Sequence, residues 1–409
     1  MTTEIRSSLD HCVKCTICES YCPVSAATPL FPGPKYVGPQ AERFRPLSRG
    51  EPSVDHSLDY CSGCGICSQV CPQGVKIAEI NSQARARMKA ERGVPLRDRI
   101  IARPSVSARL ASPVSPIANR ALSSPLLRYA AEATIGVHRK APLPRFNAAT
   151  FQSRARRRSS PKKEAQVVYF HGCGINFFEP DLGETAVAVL ERNGFEVIVP
   201  PQDCCGLPLQ SNGLFSDARA YVRRVAANLA PYARAGLPIV STSTSCSLML
   251  KREAREILGE DSDDLAVVSR HMFDICELLT DLLDQGRLDT SFRPLELTVP
   301  YHAPCQQRGH GIGPVALDLL GLIPGLEVVE QEAQCCGIAG TYGFKKEKYD
   351  IAMAVGRPLF ESIAALGARL AACDSETCRW QIAHATGVPV VHPVELLHRA
   401  YLGGSRVFE

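Results

Sequence analysis

No run of about 18 apolar residues occurs anywhere in this chain, so no transmembrane helix is expected. Aromatic residues make up only 6% of its 409 positions, with a single tryptophan, and the net charge is only +4. So weak a net charge does not steer the whole molecule toward nucleic acid. The opening stretch, Met1 to Asp10, is short and polar. It does not read as a secretory signal, so a reducing cytoplasm is expected and disulfides are not. A Ser-His-Asp set, a phosphate-binding loop and a paired-carboxylate motif are all missing. The segment Gly311-Ile312-Gly313-Pro314-Val315-Ala316 looks like a dinucleotide fingerprint, but it does not follow its strand directly and Pro314 stiffens it. Organic chemistry on a substrate is therefore not expected from this chain alone.

Cysteine, by contrast, is abundant, at eighteen residues. Eight of them form two strings, Cys12, Cys15, Cys18, Cys22 and Cys61, Cys64, Cys67, Cys71, each followed by proline. Both read C-x2-C-x2-C-x3-C-P, the spacing that holds cubane iron–sulfur clusters. Three thiolates two residues apart can wrap one cluster, and the fourth reaches across to the other. The assignment is thus Cys12, Cys15, Cys18 and Cys71 for one [4Fe-4S] cluster, and Cys61, Cys64, Cys67 and Cys22 for a second. Such a chain carries electrons. The 38 residues between Cys22 and Cys61 favour a helical dicluster domain over a compact ferredoxin. The proline-rich stretch Pro29 to Pro39 reads as a rigid loop between the strings. After the second string, VKIAEINSQARARMKAE reads as a helix with Val75, Ile77, Ile80 and Ala84 on one side and basic residues on the rest.

Residues 92–163 change character. Sixteen Lys and Arg face only Asp98 and Glu132, a local net charge of +14. A short helix is expected after Ser124, with Pro125 in its first turn and Leu126, Leu127, Ala130, Ala131 and Ile135 on one face. The reading is a basic linker that docks on an anionic membrane surface or an acidic partner. Nucleic acid fits poorly because aromatic interleaving is absent.

From residue 166 the pattern becomes α/β and occurs twice. Cys173 maps on Cys305 and Cys246 on Cys378 at an offset of 132, and Cys204-Cys205 on Cys335-Cys336 at 131. His171 and His302 precede the lone cysteines in the two halves. Each repeat therefore carries a lone Cys at a strand end, a Cys-Cys-Gly pair and a distal Cys. Adjacent cysteines suit two irons of a cluster better than one zinc, and Gly206 or Gly337 would let the backbone approach it. Ser243 and Ser375 stand where a C-x2-C partner would sit, and Cys373 is displaced by two. Cys276, in HMFDICELL, reads as a core cysteine. The expected fold is α+β multidomain: a helical dicluster ferredoxin (1–90), the basic linker (91–165) and duplicated α/β Cys-Cys-Gly repeats (166–290 and 291–409).

HCVKCTICESYCPVS, FPGPKYVGPQAERFR, FHGCGIN, CCGLPLQSNG and CCGIAGTYGFKKEKY resemble the iron–sulfur subunits of several respiratory enzymes. These include glycolate oxidase iron–sulfur subunits, lactate-utilisation proteins, heterodisulfide reductase subunits and, most similar, the C subunit family of anaerobic glycerol-3-phosphate dehydrogenase. The resemblance implies an electron-transfer subunit on the inner face of the cell membrane. A separate flavoprotein oxidises the substrate, and quinone takes the electrons. It further implies cluster binding in the repeats through Cys173, Cys204, Cys205 and Cys246, and through Cys305, Cys335, Cys336, Cys373 and Cys378. A glycolate- or lactate-type subunit is the alternative. A disulfide-cleaving protein of the heterodisulfide reductase kind is disfavoured, because Ser243 and Ser375 break its C-x2-C in both repeats.

Overall fold

The computed structural model describes residues 3–45, 56–158, 160–333 and 335–402. Around the two cysteine strings the N-terminal part forms short helical turns against one long helix, α1 (Ile77–Arg92). That helix departs from its expected amphipathic form. Ile77, Ile80 and Ala84 are buried, but so are Glu79, Asn81, Gln83, Arg85 and Lys89. The polar side is satisfied by the rest of the protein: Gln83 donates to the Ile257 carbonyl, and Arg85 to the carbonyls of Cys61 and Ser211. The proline-rich stretch is packed as well, with Phe31 and Val37 in one apolar cluster with Leu58, Ile351, Ala352 and Val355.

The expected linker includes four short helices, α2 (Leu96–Ile101), α3 (Pro104–Ala111), α4 (Ser115–Ser123) and α5 (Pro125–Thr134), and a further helical turn at Phe151–Ala155. Prolines in the first turns of α3, α4 and α5 suit that position, where a missing N–H costs nothing. The helix after Ser124 forms as expected, with its apolar face outward. Leu126 and Leu127 are exposed at 82% and 53%, while Glu132 is buried. Arg128 donates to the carbonyls of Leu122 and Ala141, and Glu132 pairs with His138 and Arg139. Ten of the 18 large apolar side chains exposed among the described residues lie between Leu96 and Ile135, so this segment carries the main apolar surface.

Two four-stranded parallel sheets follow. β1 (Ala165–Tyr169), β2 (Phe195–Ile198), β3 (Ile239–Ser241) and β4 (Met272–Asp274) stand in the order β2-β1-β3-β4. β5 (Leu297–His302), β6 (Leu326–Glu330), β7 (Ala371–Cys373) and β8 (Val390–Val391) repeat it as β6-β5-β7-β8. Their crossovers include α6 (Pro180–Arg192) and α7 (Phe215–Arg234), with α8 (Ile275–Asp284) leading out of β4. In the second unit α9 (Tyr349–Ala365) and α10 (Glu376–Thr386) precede α11 (Pro393–Leu402). The inner strands are apolar and buried, as parallel strands covered on both faces must be. The duplication is thus present in the topology and in the register, where Tyr169 pairs with Val240 and Tyr301 with Ala372. The two sheets share one core, in which Val167, Tyr169 and Leu190 join Val299, Tyr301 and Leu319.

Candidate metal centres

The two cysteine strings fold alike. Each bends through two left-handed residues flanking its second cysteine, Gly63 and Gly65 in one string and Lys14 and Thr16 in the other. Glycine adopts that conformation freely, whereas a β-branched threonine at φ 71° is strained. Strain of this kind persists where the surroundings demand the conformation. The turns gather the thiols in two sets. The Cys18 thiol is pushed up to about 11, first by burial, then by Glu19 and by Cys12, Cys71 and Cys15. Cys64 is pushed up to about 12 by burial and by Cys335, Cys61 and Cys22. Cys67 is raised by burial and by Cys64, Cys61, Glu79 and Cys22. Thus Cys71 stands with the first string and Cys22 with the second. Crowded thiols that raise one another in this way suit the positive irons of a metal cluster, which would favour their ionised forms.

The repeats place their cysteines at the carboxyl ends of the central strands. Cys173 follows β1 and Cys246 follows β3; Cys305 follows β5 and Cys378 follows β7. The strand order reverses between β1 and β3 and between β5 and β7, which opens the crevice where doubly wound sheets bind ligands. In the first repeat Cys173 lies against Cys204, and Cys205 against both Cys204 and Cys246. Ser243, at the missing C-x2-C position, donates to Glu376 of the second repeat at 2.9 Å. In the second repeat Cys336 and Cys378 approach to 2.9 Å between Sγ atoms. Cys378 is held well below the ordinary thiol range by Cys336 and then Cys373, with a smaller pull from His302. Cys305 is raised by burial and by Cys335, Cys64 and Cys378, so the second ferredoxin string borders this set.

The Cys-Cys-Gly glycines are required by the backbone around them. Both have positive φ, 90° at Gly206 and 86° at Gly337, and a Cβ on either would strike a carbonyl of the following helix, Ala218 or Ala352. Their N–H groups donate back to Cys204 and Cys335 Sγ at 3.5 and 3.3 Å.

The two histidines, equivalent by sequence, diverge. His171 Nδ1 lies 2.7 Å from the Gly172 carbonyl and Nε2 3.1 Å from the Gln152 side chain, so it is a satisfied structural residue. His302, 1% exposed, has no partner in strict hydrogen-bond geometry at either ring nitrogen among the described residues, and the polar group it acts on is the Cys378 thiol. Its ligand atom lies within 4.8 Å of both Cys336 and Cys378 Sγ. A cavity of about 620 Å³ is lined by Cys64, Cys173, Cys246, His302, Cys305 and Cys378, with Leu143, Phe178 and Trp380 among its apolar walls. Cys276 is the buried core residue expected, though it donates to Asp374 Oδ1 at 3.8 Å and shares its pocket with Asp274. Tyr301 donates to the other Asp374 oxygen at 2.6 Å, as Tyr169 meets Thr242 at 2.8 Å in the first repeat.

Several residues at these sites carry no motif of their own. Lys348 reaches Asp59 at 2.9 Å, and Lys345 reaches Asn212 at 2.8 Å and Asp98 at 3.1 Å. These buried cations of the FKKEK segment tie the second repeat to the ferredoxin unit, the first repeat and the linker helices. Arg379 and Trp380 both hold Glu179 across the two repeats. A Lys-rich segment directly after a cysteine pair was the visible signal for the former; nothing marked the latter.

Paired ferredoxin strings beside two cysteine-bearing α/β repeats define an iron–sulfur protein of the dicluster, cysteine-rich class. Residues 8–75 match the 4Fe-4S dicluster domain family, and residues 167–251 and 299–383 match the cysteine-rich domain family. Over 401 residues the chain is 38% identical to the C subunit of anaerobic glycerol-3-phosphate dehydrogenase of Escherichia coli (strain K12), covering 96% of this chain and 99% of that protein. It is also 31% identical over 247 residues to the B subunit of fumarate reductase (CoM/CoB) of Methanothermobacter marburgensis, 58% of this chain and 47% of that one. Lactate utilization protein A of Geobacillus kaustophilus is 32% identical over 184 residues, 44% and 75% of the respective chains. The chain belongs to the C subunit family of anaerobic glycerol-3-phosphate dehydrogenase.

Proposed function

We propose that this chain is the electron-transfer subunit of a membrane-associated glycerol-3-phosphate dehydrogenase, taking electrons from a flavoprotein subunit and delivering them to a quinone. Cys12, Cys15, Cys18 and Cys71 hold one [4Fe-4S] cluster, and Cys22, Cys61, Cys64 and Cys67 a second. Further cluster sites are Cys173, Cys204, Cys205 and Cys246 in the first repeat and Cys305, Cys335, Cys336 and Cys378, with Cys373 behind, in the second. Bound there, iron–sulfur clusters supply one-electron transfer. The observation that carries this reading is the contiguity of the thiol sets: Cys64 of the second string lines the same cavity as Cys173 and Cys246 of the first repeat and Cys305 and Cys378 of the second.

The linker helices supply the membrane face. No helix among the described residues is long and apolar enough to cross a membrane. Leu110, Ile117 and Leu126 are nonetheless 76%, 73% and 82% exposed, on a segment of strong positive charge. Exposed apolar side chains on a segment rich in Arg suit the headgroup boundary of an anionic bilayer. Ile100, exposed on this surface, and Leu122 also line the cavity, which brings a lipid-soluble acceptor within reach of the thiol sets.

The test uses the complex purified anaerobically from native membranes. Cys64→Ala should abolish glycerol-3-phosphate-dependent quinone reduction while the partner's dye-linked oxidation of substrate persists. Loss of both activities, or of neither, would refute the relay role. Wild-type cluster EPR signals that stay silent on glycerol 3-phosphate but respond to dithionite would refute the substrate.

A further inference from the structure

The two repeats lose the same residue of their C-x2-C, at Ser243 and Ser375, but the surroundings fill the two positions differently. In the first repeat Ser243 Oγ donates to Glu376, and the neighbouring histidine, His171, is spent on Gly172 and Gln152. In the second, Ser375 stands at the N-terminal boundary of α10 without a capping hydrogen bond from its side chain, and its hydroxyl lies 3.5 Å from that of Thr377. The displaced Cys373 lies behind Cys378 and is fully buried away from the cavity wall. His302 does face the cavity, as do Cys305, Cys335, Cys336 and Cys378. A buried imidazole whose one polar neighbour is a cysteine sulfur, met outside good hydrogen-bond geometry, is costly, because its ring nitrogens are desolvated with little in return. The usual reason for keeping one is an ion or ligand that it binds.

We propose that His302 is a nitrogen ligand of the iron–sulfur cluster in the second repeat, replacing the thiolate that Ser375 cannot supply. Its donor atom lies within 4.8 Å of the Cys336 and Cys378 sulfurs, the spacing of groups that share one metal centre. The site is then of mixed Cys and His type, while the first repeat remains all-thiolate. Exchange of thiolate for neutral imidazole removes one negative charge and raises the reduction potential, as it does in Rieske centres. The second-repeat site, next to Cys64, therefore takes an electron more readily than it would with a thiolate in place of His302. This inference rests on the reading that the repeats hold clusters.

The experiment is pulsed EPR on the reduced wild-type complex grown with ¹⁵N-imidazole histidine, beside the unlabelled complex. A nitrogen modulation that changes with the isotope, on a signal beyond those of the two ferredoxin clusters, is expected. It should vanish in His302→Leu and in His302→Cys, and His171→Leu should keep it. His302→Cys should retain the cluster and shift its midpoint potential to more negative values, which separates ligation from a structural role. A further signal with no isotope effect, or one that survives His302→Cys unchanged, overturns the ligand assignment alone. Spin counting that finds only the two ferredoxin clusters overturns the cluster reading of the repeats, and this inference with it. The labelled wild-type sample decides the matter even where His302→Leu fails to fold.

Discussion

Replacing Gly337 by alanine should damage the protein far more than the same change at Gly206, although the two glycines occupy the same place in the duplicated motif. Both lie at positive φ, 86° and 90°, where an L-residue costs roughly 1–2 kcal/mol. At Gly206 the new Cβ would sit 3.0 Å from the Ala218 carbonyl oxygen, a contact that a small shift of α7 relieves. At Gly337 it would overlap the Ala352 carbonyl outright and press on Gly356 of α9, itself packed on the Cys336 carbonyl. Moving a packed helix costs roughly 1–3 kcal/mol more. The expected losses are about 1–2 kcal/mol for Gly206→Ala and about 2–5 kcal/mol for Gly337→Ala, the latter a large share of a typical total stability of about 5–15 kcal/mol. Anaerobic urea unfolding followed by circular dichroism gives both values, compared at a common slope. Because the Gly337 N–H donates to Cys335, iron loading of the second repeat should also fall while the ferredoxin clusters stay loaded. Equal losses, or a greater loss at Gly206, would show that backbone crowding by α9 is not what requires this glycine.

Two further predictions concern buried charge. Arg379 has a 4% exposed side chain and pairs with Glu179, so Glu179→Gln should cost about 3 kcal/mol by leaving a guanidinium without its nearest counter-charge. The double variant Glu179→Gln/Arg379→Met should recover part of that loss; a double variant worse than the single one would contradict the account. Glu253, which accepts from Gln210 at 3.2 Å, is pushed up to about 7 by burial and by Glu79 and Glu256, against Arg252. Its ordinary value is 4.5, so between these two values the folded chain holds a proton that the unfolded chain has lost. Stability should accordingly fall as pH rises through that window and level off above it, by at most about 3 kcal/mol at 1.36 kcal/mol per unit. Glu253→Gln should flatten that part of the pH–stability curve, and an unchanged slope would place the titration elsewhere.

Much of this was legible locally. The cysteine spacing pointed to the cluster type and to the crosswise grouping of Cys22 and Cys71 seen in the fold, because thiols two residues apart in a tight turn have few ways to gather. The constant offset of 132 between Cys173 and Cys305 exposed the duplication before any strand was seen, and buried parallel strands read as short apolar runs. The helix at Pro125–Thr134 was also visible. Its orientation was not, since an apolar stripe shows only that one face differs from the other, not which one meets water. Arg128 and Glu132 turn inward because Ala141, Leu122, His138 and Arg139 are there to receive them. The polar side of α1 is buried for a similar reason, with the Ser211 and Ile257 carbonyls opposite it to receive Arg85 and Gln83.

The difference between His171 and His302 lay furthest out of reach. Local sequence makes them equivalents, each three or fewer residues before a lone cysteine. Only packing distinguishes them, because Gln152 comes from the end of the linker region to engage His171 and nothing among the described residues does so for His302. Sequence alone thus determined which thiols exist and how they are spaced, since that information is carried by neighbours along the chain. Tertiary structure decided which sets adjoin, which histidine is free for a metal, and which face of the linker looks outward. Each of those depends on residues more than a hundred positions apart or on which groups a neighbouring element leaves unpaired, and no local pattern records either.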